Sequence, residues 1–155
     1  MTEVPFADLG AQYQSIKGEI DAAIASVIAE TAFVRGRFVA DFEQAFAGTQ
    51  GIPHFVGTAN GTDALFVALK TLGIGPGDEV ITAANSWIAS SECITLCGAT
   101  PVFADVDPDT YNVNPEDVAN RVTARTRAII PVHLYGQAAD MVALQAIAAK
   151  HDLSV

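Results

Sequence analysis

The chain has 155 residues, half of them apolar, with 8 Lys plus Arg against 18 Asp plus Glu and a formal net charge of −10. That length fits one ordinary domain, and the apolar content supports a sizeable core, which excludes intrinsic disorder. The acidic balance excludes a nucleic-acid coat, because neutralising phosphates takes clustered Lys and Arg, and no apolar run reaches the ~18 residues of a membrane helix.

The first residues, Met1-Thr2-Glu3-Val4-Pro5, show no basic region followed by an apolar stretch, so no secretory leader is expected. Ile16, Ile20, Ile24 and Val27 recur at nearly helical spacing and predict an amphipathic helix over roughly Gln12 to Ala29. Thr31 to Arg37 interrupts it, with Gly36 between two arginines. A second helix follows, carrying Val39, Phe42 and Phe46 on one face and ending near Gly48.

From His54 the texture changes to short β-rich runs alternating with helical ones. His54 to Thr58 is a candidate strand. Ala64, Leu65, Ala68, Leu69 and Leu72 form a helical stripe that stops at Gly73, and Gly75-Pro76-Gly77-Asp78 is a turn. Glu79 to Ala83 is the next strand and Ser86 to Cys97 the next helix. Pro101 to Asp105 is a strand. Pro115 to Val122 is a helix with Pro in its first turn and Asn114 as its cap. Ala128 to His133 is a nearly continuous apolar run, as in a parallel strand buried on both faces. Asp140 to Lys150 is a helix, and Leu153-Ser154-Val155 begins a further strand. This alternation gives right-handed βαβ crossovers, an α/β fold class and a mostly parallel sheet with helices on both faces, the N-terminal helices coming first.

Cys93 and Cys97, four residues apart, share a helix face. A zinc site needs two more ligands, and His54, His133 and His151 are too scattered to supply them, so both cysteines read as small buried thiols in a reducing cytoplasmic compartment. Asn60-Gly61-Thr62 fits the N-glycosylation pattern only by accident in such a compartment.

Ligands in α/β sheets bind beyond the carboxyl ends of strands, at helix N-termini. Four loops qualify. Thr58 to Asp63 offers a Gly, a hydroxyl and the free N–H groups of a helix start. It is either a phosphate site or an ordinary turn capped by Asn60 or Thr62. It lacks the lysine of a Walker loop and does not match G-x-G-x-x-G. Ala84-Asn85-Ser86-Trp87 carries the only Trp, which either stacks on a flat ring or, as lone tryptophans more commonly do, fills a core or interface. Asp105-Val106-Asp107-Pro108-Asp109 lacks the Gly and bidentate Glu of an EF-hand and reads as a solvated turn. His133-Leu134-Tyr135-Gly136-Gln137 is either a polar cluster near a ligand or the setting of a satisfied structural histidine.

Several runs now stand in order. They are Asn60-Gly61-Thr62-Asp63-Ala64-Leu65, Leu72 to Ile81, Gly98-Ala99-Thr100-Pro101-Val102-Phe103 and Pro131-Val132-His133-Leu134-Tyr135-Gly136-Gln137. With Val4-Pro5-Phe6-Ala7-Asp8-Leu9 and the Phe42-Glu43 pair, the chain resembles the PLP-dependent nucleotide-sugar aminotransferases of the DegT/DnrJ/StrS type over essentially its whole length.

The resemblance implies a fold type I enzyme: a large domain with a mostly parallel sheet, a small C-terminal domain and a homodimer with shared active sites. It implies a helical segment over 1–50 and an incomplete cofactor-binding large domain over 51–155. It also implies pyridoxal 5'-phosphate as cofactor, a keto sugar linked to a nucleotide as acceptor, and an amino acid such as glutamate as donor. By similarity, Gly61, Thr62 and Asp63 hold the cofactor phosphate. Trp87 stacks on the pyridine ring, which displaces the core reading, and His133 lies near the cofactor without a firm role. Arg35-Gly36-Arg37 resembles a segment on the substrate side.

The resemblance places no catalytic group in this chain. The Asp that keeps the pyridine nitrogen protonated and the lysine that binds the cofactor covalently fall beyond Val155. Lys17, Lys70 and Lys150 match neither position, and Asp152 is not the pyridine partner. The expectation is an N-terminal portion of an aminotransferase, inactive alone. A truncated binding or dimerisation piece and a PLP-dependent sugar dehydratase of the same family are the alternatives.

Overall fold

A computed structural model describes residues 5–155. The stretch Val4 to Leu9 therefore lies partly outside the described residues. The chain divides into two compact units, Met1–Gly57 and Thr58–Val155.

In the first unit, Asp8 accepts a hydrogen bond from the Ala11 N–H at 2.8 Å and starts helix α1, Leu9–Ala29. The predicted stripe lies on this helix but is largely uncovered within the unit: Ile16, Ile20 and Ile24 are exposed and Val27 is half-buried. Thr31, Arg35 and Gly36 take left-handed backbone conformations that break the helix before α2, Arg37–Gln50. The rings of Phe42 and Phe46 pack on Phe55. The His54–Thr58 strand does not form. A strand needs a partner, and here the Gly57 N–H donates at 2.8 Å to the Glu43 carboxylate on α2.

The second unit begins with α3, Gly61–Thr71. Gly73, at φ +76°, closes its end, and the Ile74 N–H reaches back to the Leu69 carbonyl at 3.1 Å. Pro76 and left-handed Gly77 build the turn into β1, Glu79–Ala83, buried throughout. Helix α4 is Ala89–Leu96, shorter than predicted. Ala84 and Asn85 form a turn instead, and the Ser86 hydroxyl bonds back to the Ala83 carbonyl at 3.3 Å. Strand β2 is Thr100–Ala104, and α5, Pro115–Arg121, is capped by Asn114 as expected, its side chain accepting from the Glu116 N–H at 2.8 Å.

Strand β3 is Thr126–Ile130, shifted from the predicted Ala128–His133. A bulge lies between Glu79↔Thr126 and Val80↔Ala128, which leaves Arg127 exposed and lets a polar start join the strand. Helix α6 is Met141–His151, capped by Asp140. Ser154 then forms a parallel bridge to Ala128, the first contact of the expected further strand.

The sheet is parallel in the order β2-β1-β3. On one face, Leu69, Ile74, Cys93, Ile94 and Cys97 pack on Val80 and Ala128. On the other, Val118, Leu144 and Ala148 pack on Ile81 and Ile129. Alternate residues of β1 and β3 thus serve opposite cores, as the period of a strand requires. Both cysteines are buried as predicted.

Candidate functional site at the carboxyl end of the sheet

With β1 in the middle, the crossover through α4 runs to β2 and the crossover through α5 returns to β3 on the opposite side. The connections leaving β1 and β3 therefore part, which makes this the topological switch point at which open α/β sheets place their ligand crevice. Beneath it, the fully buried Thr82 donates its hydroxyl at 3.1 Å to the Ile130 carbonyl, joining the two strand ends.

Three segments meet this end. Helix α3 and β1 are each about 16 Å long and are joined by a tight turn. The first turn of α3 therefore stands level with the carboxyl end of β1, and Leu65, Phe66 and Ile130 each pack against the core shared by α3, α4 and the sheet. Asn60 caps α3: its side-chain oxygen accepts from the Asp63 N–H at 2.9 Å, and its amide donates to the Asp63 carboxylate at 2.9 Å. The Ala64 N–H bonds to the Asn60 carbonyl.

That accounts for the third and fourth N–H groups of the helix. Among the described residues, those of Gly61 and Thr62 have no acceptor. Cap and anion site are thus compatible: Asn60 takes one donor and leaves two, at the positive end of a helix dipole. A Cβ on Gly61 would meet nothing within 4 Å, so the space beside this residue is open.

The second segment is the loop after β1. Trp87 is 78% exposed there, outside the core and before the first turn of α4. The third is the connection after β3. Contrary to its predicted place in the strand, His133 lies beyond it, and its Nδ1 accepts the Ala139 N–H at 3.1 Å. One ring nitrogen is thus structurally satisfied, and Nε2 has no partner among the described residues. Tyr135 and Gly136 form a left-handed turn next to it. Asp105–Asp109 behaves as a turn, the Asp107 carboxylate accepting the N–H groups of Asp109 and Thr110, which hold it below the usual carboxylate range.

The arrangement suits a planar, phosphorylated ligand. Two free N–H groups and the Thr62 hydroxyl match a phosphate, and the open indole face of Trp87 matches a flat ring. Two residues to which the sequence reading gave no role also belong to this end, Asn85 as a donor and Asn112 as a buried polar side chain. Their partners are remote in sequence, so no local pattern marks them.

The second unit is therefore a doubly wound α/β unit. Residues 14–155 match the DegT/DnrJ/EryC1/StrS aminotransferase family, and the chain belongs to that family. It is 44% identical over 152 residues to the UDP-2-acetamido-2-deoxy-3-oxo-D-glucuronate aminotransferase of Pseudomonas aeruginosa, covering 98% of this chain and 42% of that protein. The crystal structure of Streptomyces venezuelae DesV in complex with a ketimine intermediate superposes with a TM-score of 0.96 at 44% identity, over 99% of this chain and 41% of that one. The structure of NtdA from Bacillus subtilis with bound cofactor PMP gives 0.93 at 30% identity, over 99% and 35%. The chain thus spans about two fifths of the length of these relatives. Among the described residues no helix is long and apolar enough to cross a membrane.

Proposed function

We propose that this chain forms the phosphate-cup and ring-stacking side of a PLP-dependent aminotransferase. The whole protein moves an amino group from an amino acid such as glutamate to a keto sugar carried on a nucleotide. The observation that carries the reading is the pair of free N–H groups at Gly61 and Thr62, at the start of α3, together with an exposed Trp87 in the loop that leaves the carboxyl end of β1.

Gly61 and Thr62 bind the phosphate through N–H groups and the Thr62 hydroxyl, with Asp63 fixing the cap through Asn60. Trp87 covers one face of the ring and keeps water off it. His133 stands at the opposite strand end with Nε2 available. Bound PLP supplies an electron sink for bonds at the amino-bearing carbon.

None of the three lysines in this chain serves as the covalent one. Lys70 and Lys150 lie in the last turns of α3 and α6, at the amino end of the sheet, and the Lys70 ammonium bonds to the Cys97 carbonyl at 3.1 Å. Lys17 pairs with Asp21 on α1. On the substrate side, Arg37 is held by Glu30, which leaves Arg35 as the candidate for a nucleotide phosphate. The exposed apolar row of α1 supports a homodimer, and a cytoplasmic location is part of the same reading.

Since Trp87 is the only Trp, its emission reports on this site alone. PLP should quench it saturably, inorganic phosphate should compete, and Thr62→Val should weaken the effect about tenfold. Borohydride should leave no adduct at a unique lysine of this chain. A folded chain whose Trp emission ignores PLP would sink the reading.

A further inference from the structure

The connection between β2 and α5 folds back on itself beside the crevice. Val106 and Val113 form an antiparallel bridge, and the Asp107 N–H donates to the Asn112 carbonyl at 2.9 Å. At its tip Tyr111 is left-handed, at φ +59°. The Tyr111 carbonyl accepts the side-chain amide of Asn85 at 3.1 Å, and Asn85 lies two residues before Trp87.

The next residue, Asn112, is 4% exposed. Its amide nitrogen donates to the carbonyls of Gln137 at 3.1 Å and Ala138 at 3.2 Å, while its oxygen accepts the Leu134 N–H at 3.0 Å. The reverse orientation would point oxygen at two carbonyls, so the partners fix the group. These three bonds enclose the turn in which Tyr135 and Gly136 are both left-handed, a conformation that costs a residue with a Cβ and persists only when its surroundings impose it.

The turn closes where the Ala139 N–H meets His133 Nδ1. A backbone N–H only donates. Nδ1 therefore carries no proton, and the neutral ring holds its proton at Nε2.

We propose that Asn112 is a positioning residue. It imposes the turn after β3 so that His133 keeps Nδ1 as an acceptor and presents Nε2–H as a fixed donor at the carboxyl end of the sheet. Through Tyr111, the same segment is tied to the loop that bears Trp87. That a bound cofactor or substrate receives this donor rests on the PLP reading; the tautomer and its cause do not.

The test is nitrogen-15 NMR of the chain without PLP. His133 should show the Nε2–H tautomer. In Asn112→Ala the ring should become a mixture of tautomers, and the Leu134 amide should exchange about tenfold faster, while the Ile81 amide in β1 keeps its protection. Asn112→Asp keeps the acceptor for Leu134 but loses both donors. It is read in the same way if the alanine variant does not fold.

A merely structural Asn112 would lower stability and leave the ring signals of the folded protein unmoved. That result, or a wild-type ring protonated at Nδ1, overturns the proposal. Loss of PLP quenching with the tautomer intact would instead overturn the cofactor reading alone.

Discussion

The Glu79 carboxylate, buried at the amino end of β1, accepts hydrogen bonds from the Thr123 hydroxyl and the Arg125 guanidinium, both from the connection that leads into β3. The Thr123 bond is the larger influence. It holds the carboxyl below the usual glutamate range against the opposing effect of burial, with Arg125 adding to it.

A carboxyl whose folded value is depressed stabilises the fold fully above its unfolded value, about 4.3, and loses that contribution as pH falls through the folded value. The urea midpoint should therefore drop on acidification below about pH 5, and Glu79→Gln should flatten that drop. An unchanged slope would assign the effect to the other carboxyls held low, Asp21, Glu30, Asp107 and Asp117. Asp117 is also held low, chiefly by Arg121 and then by the Asp105 N–H.

The two thiols should be silent in the native chain. Cys93 is fully buried, donates to the Ser90 carbonyl at 3.2 Å, and is pushed up chiefly by burial and then by Cys97, which is 2% exposed. A thiol-reactive dye should label neither until denaturant is added. Rapid native labelling would contradict this packing.

Two glycines should respond oppositely to alanine. Gly98 has φ +83°, and a Cβ there would stand 3.1 Å from Pro76 Cγ and 3.3 Å from Cδ. Gly98→Ala should cost about 1–3 kcal/mol in a denaturant melt. Gly61 has neither constraint, so Gly61→Ala should hold stability within ~0.5 kcal/mol. It should also weaken PLP quenching, since the methyl group crowds the N–H that the phosphate approaches.

Removing the α3 cap gives a separable effect. Asn60→Ala should cost about 1 kcal/mol, and Asn60→Ser should restore most of it, because a serine hydroxyl also accepts the Asp63 N–H without placing a second carboxylate against that of Asp63. Equal losses for both variants would mean that the amide bond to the Asp63 carboxylate matters more than the cap.

Where side chains act on their neighbours, the fold was legible in the chain. Glu79–Ala83 reads as a strand because an apolar run follows the Pro76-Gly77 turn, and Asn114 reads as a cap because Pro115 follows it. The misread stretches are those decided at a distance. His54–Thr58 has strand-forming residues but no strand to pair with. His133 extends an apolar run, yet it lies beyond β3, where its Nδ1 accepts the Ala139 N–H and the next residue, Leu134, donates its N–H to Asn112.

The site divides in the same way. Gly61, Thr62, Trp87 and His133 were visible as chemistry-bearing residues at predicted strand or helix ends. Asn112 was not, because all three of its side-chain partners lie more than one element away.

The strand order also sets an order of events. Glu79 is much closer in sequence to Thr100 than to Thr126, and closing a longer loop costs more chain entropy. Pairing of β1 with β2 should therefore precede docking of β3. Substitutions such as Val102→Ala should then slow refolding, and Ile130→Val should mainly speed unfolding. The bond from Thr82 to the Ile130 carbonyl is made only in the second closure. The crevice is accordingly the last part of the unit to exist, and a chain arrested before that step would have one finished side and no place for a ligand.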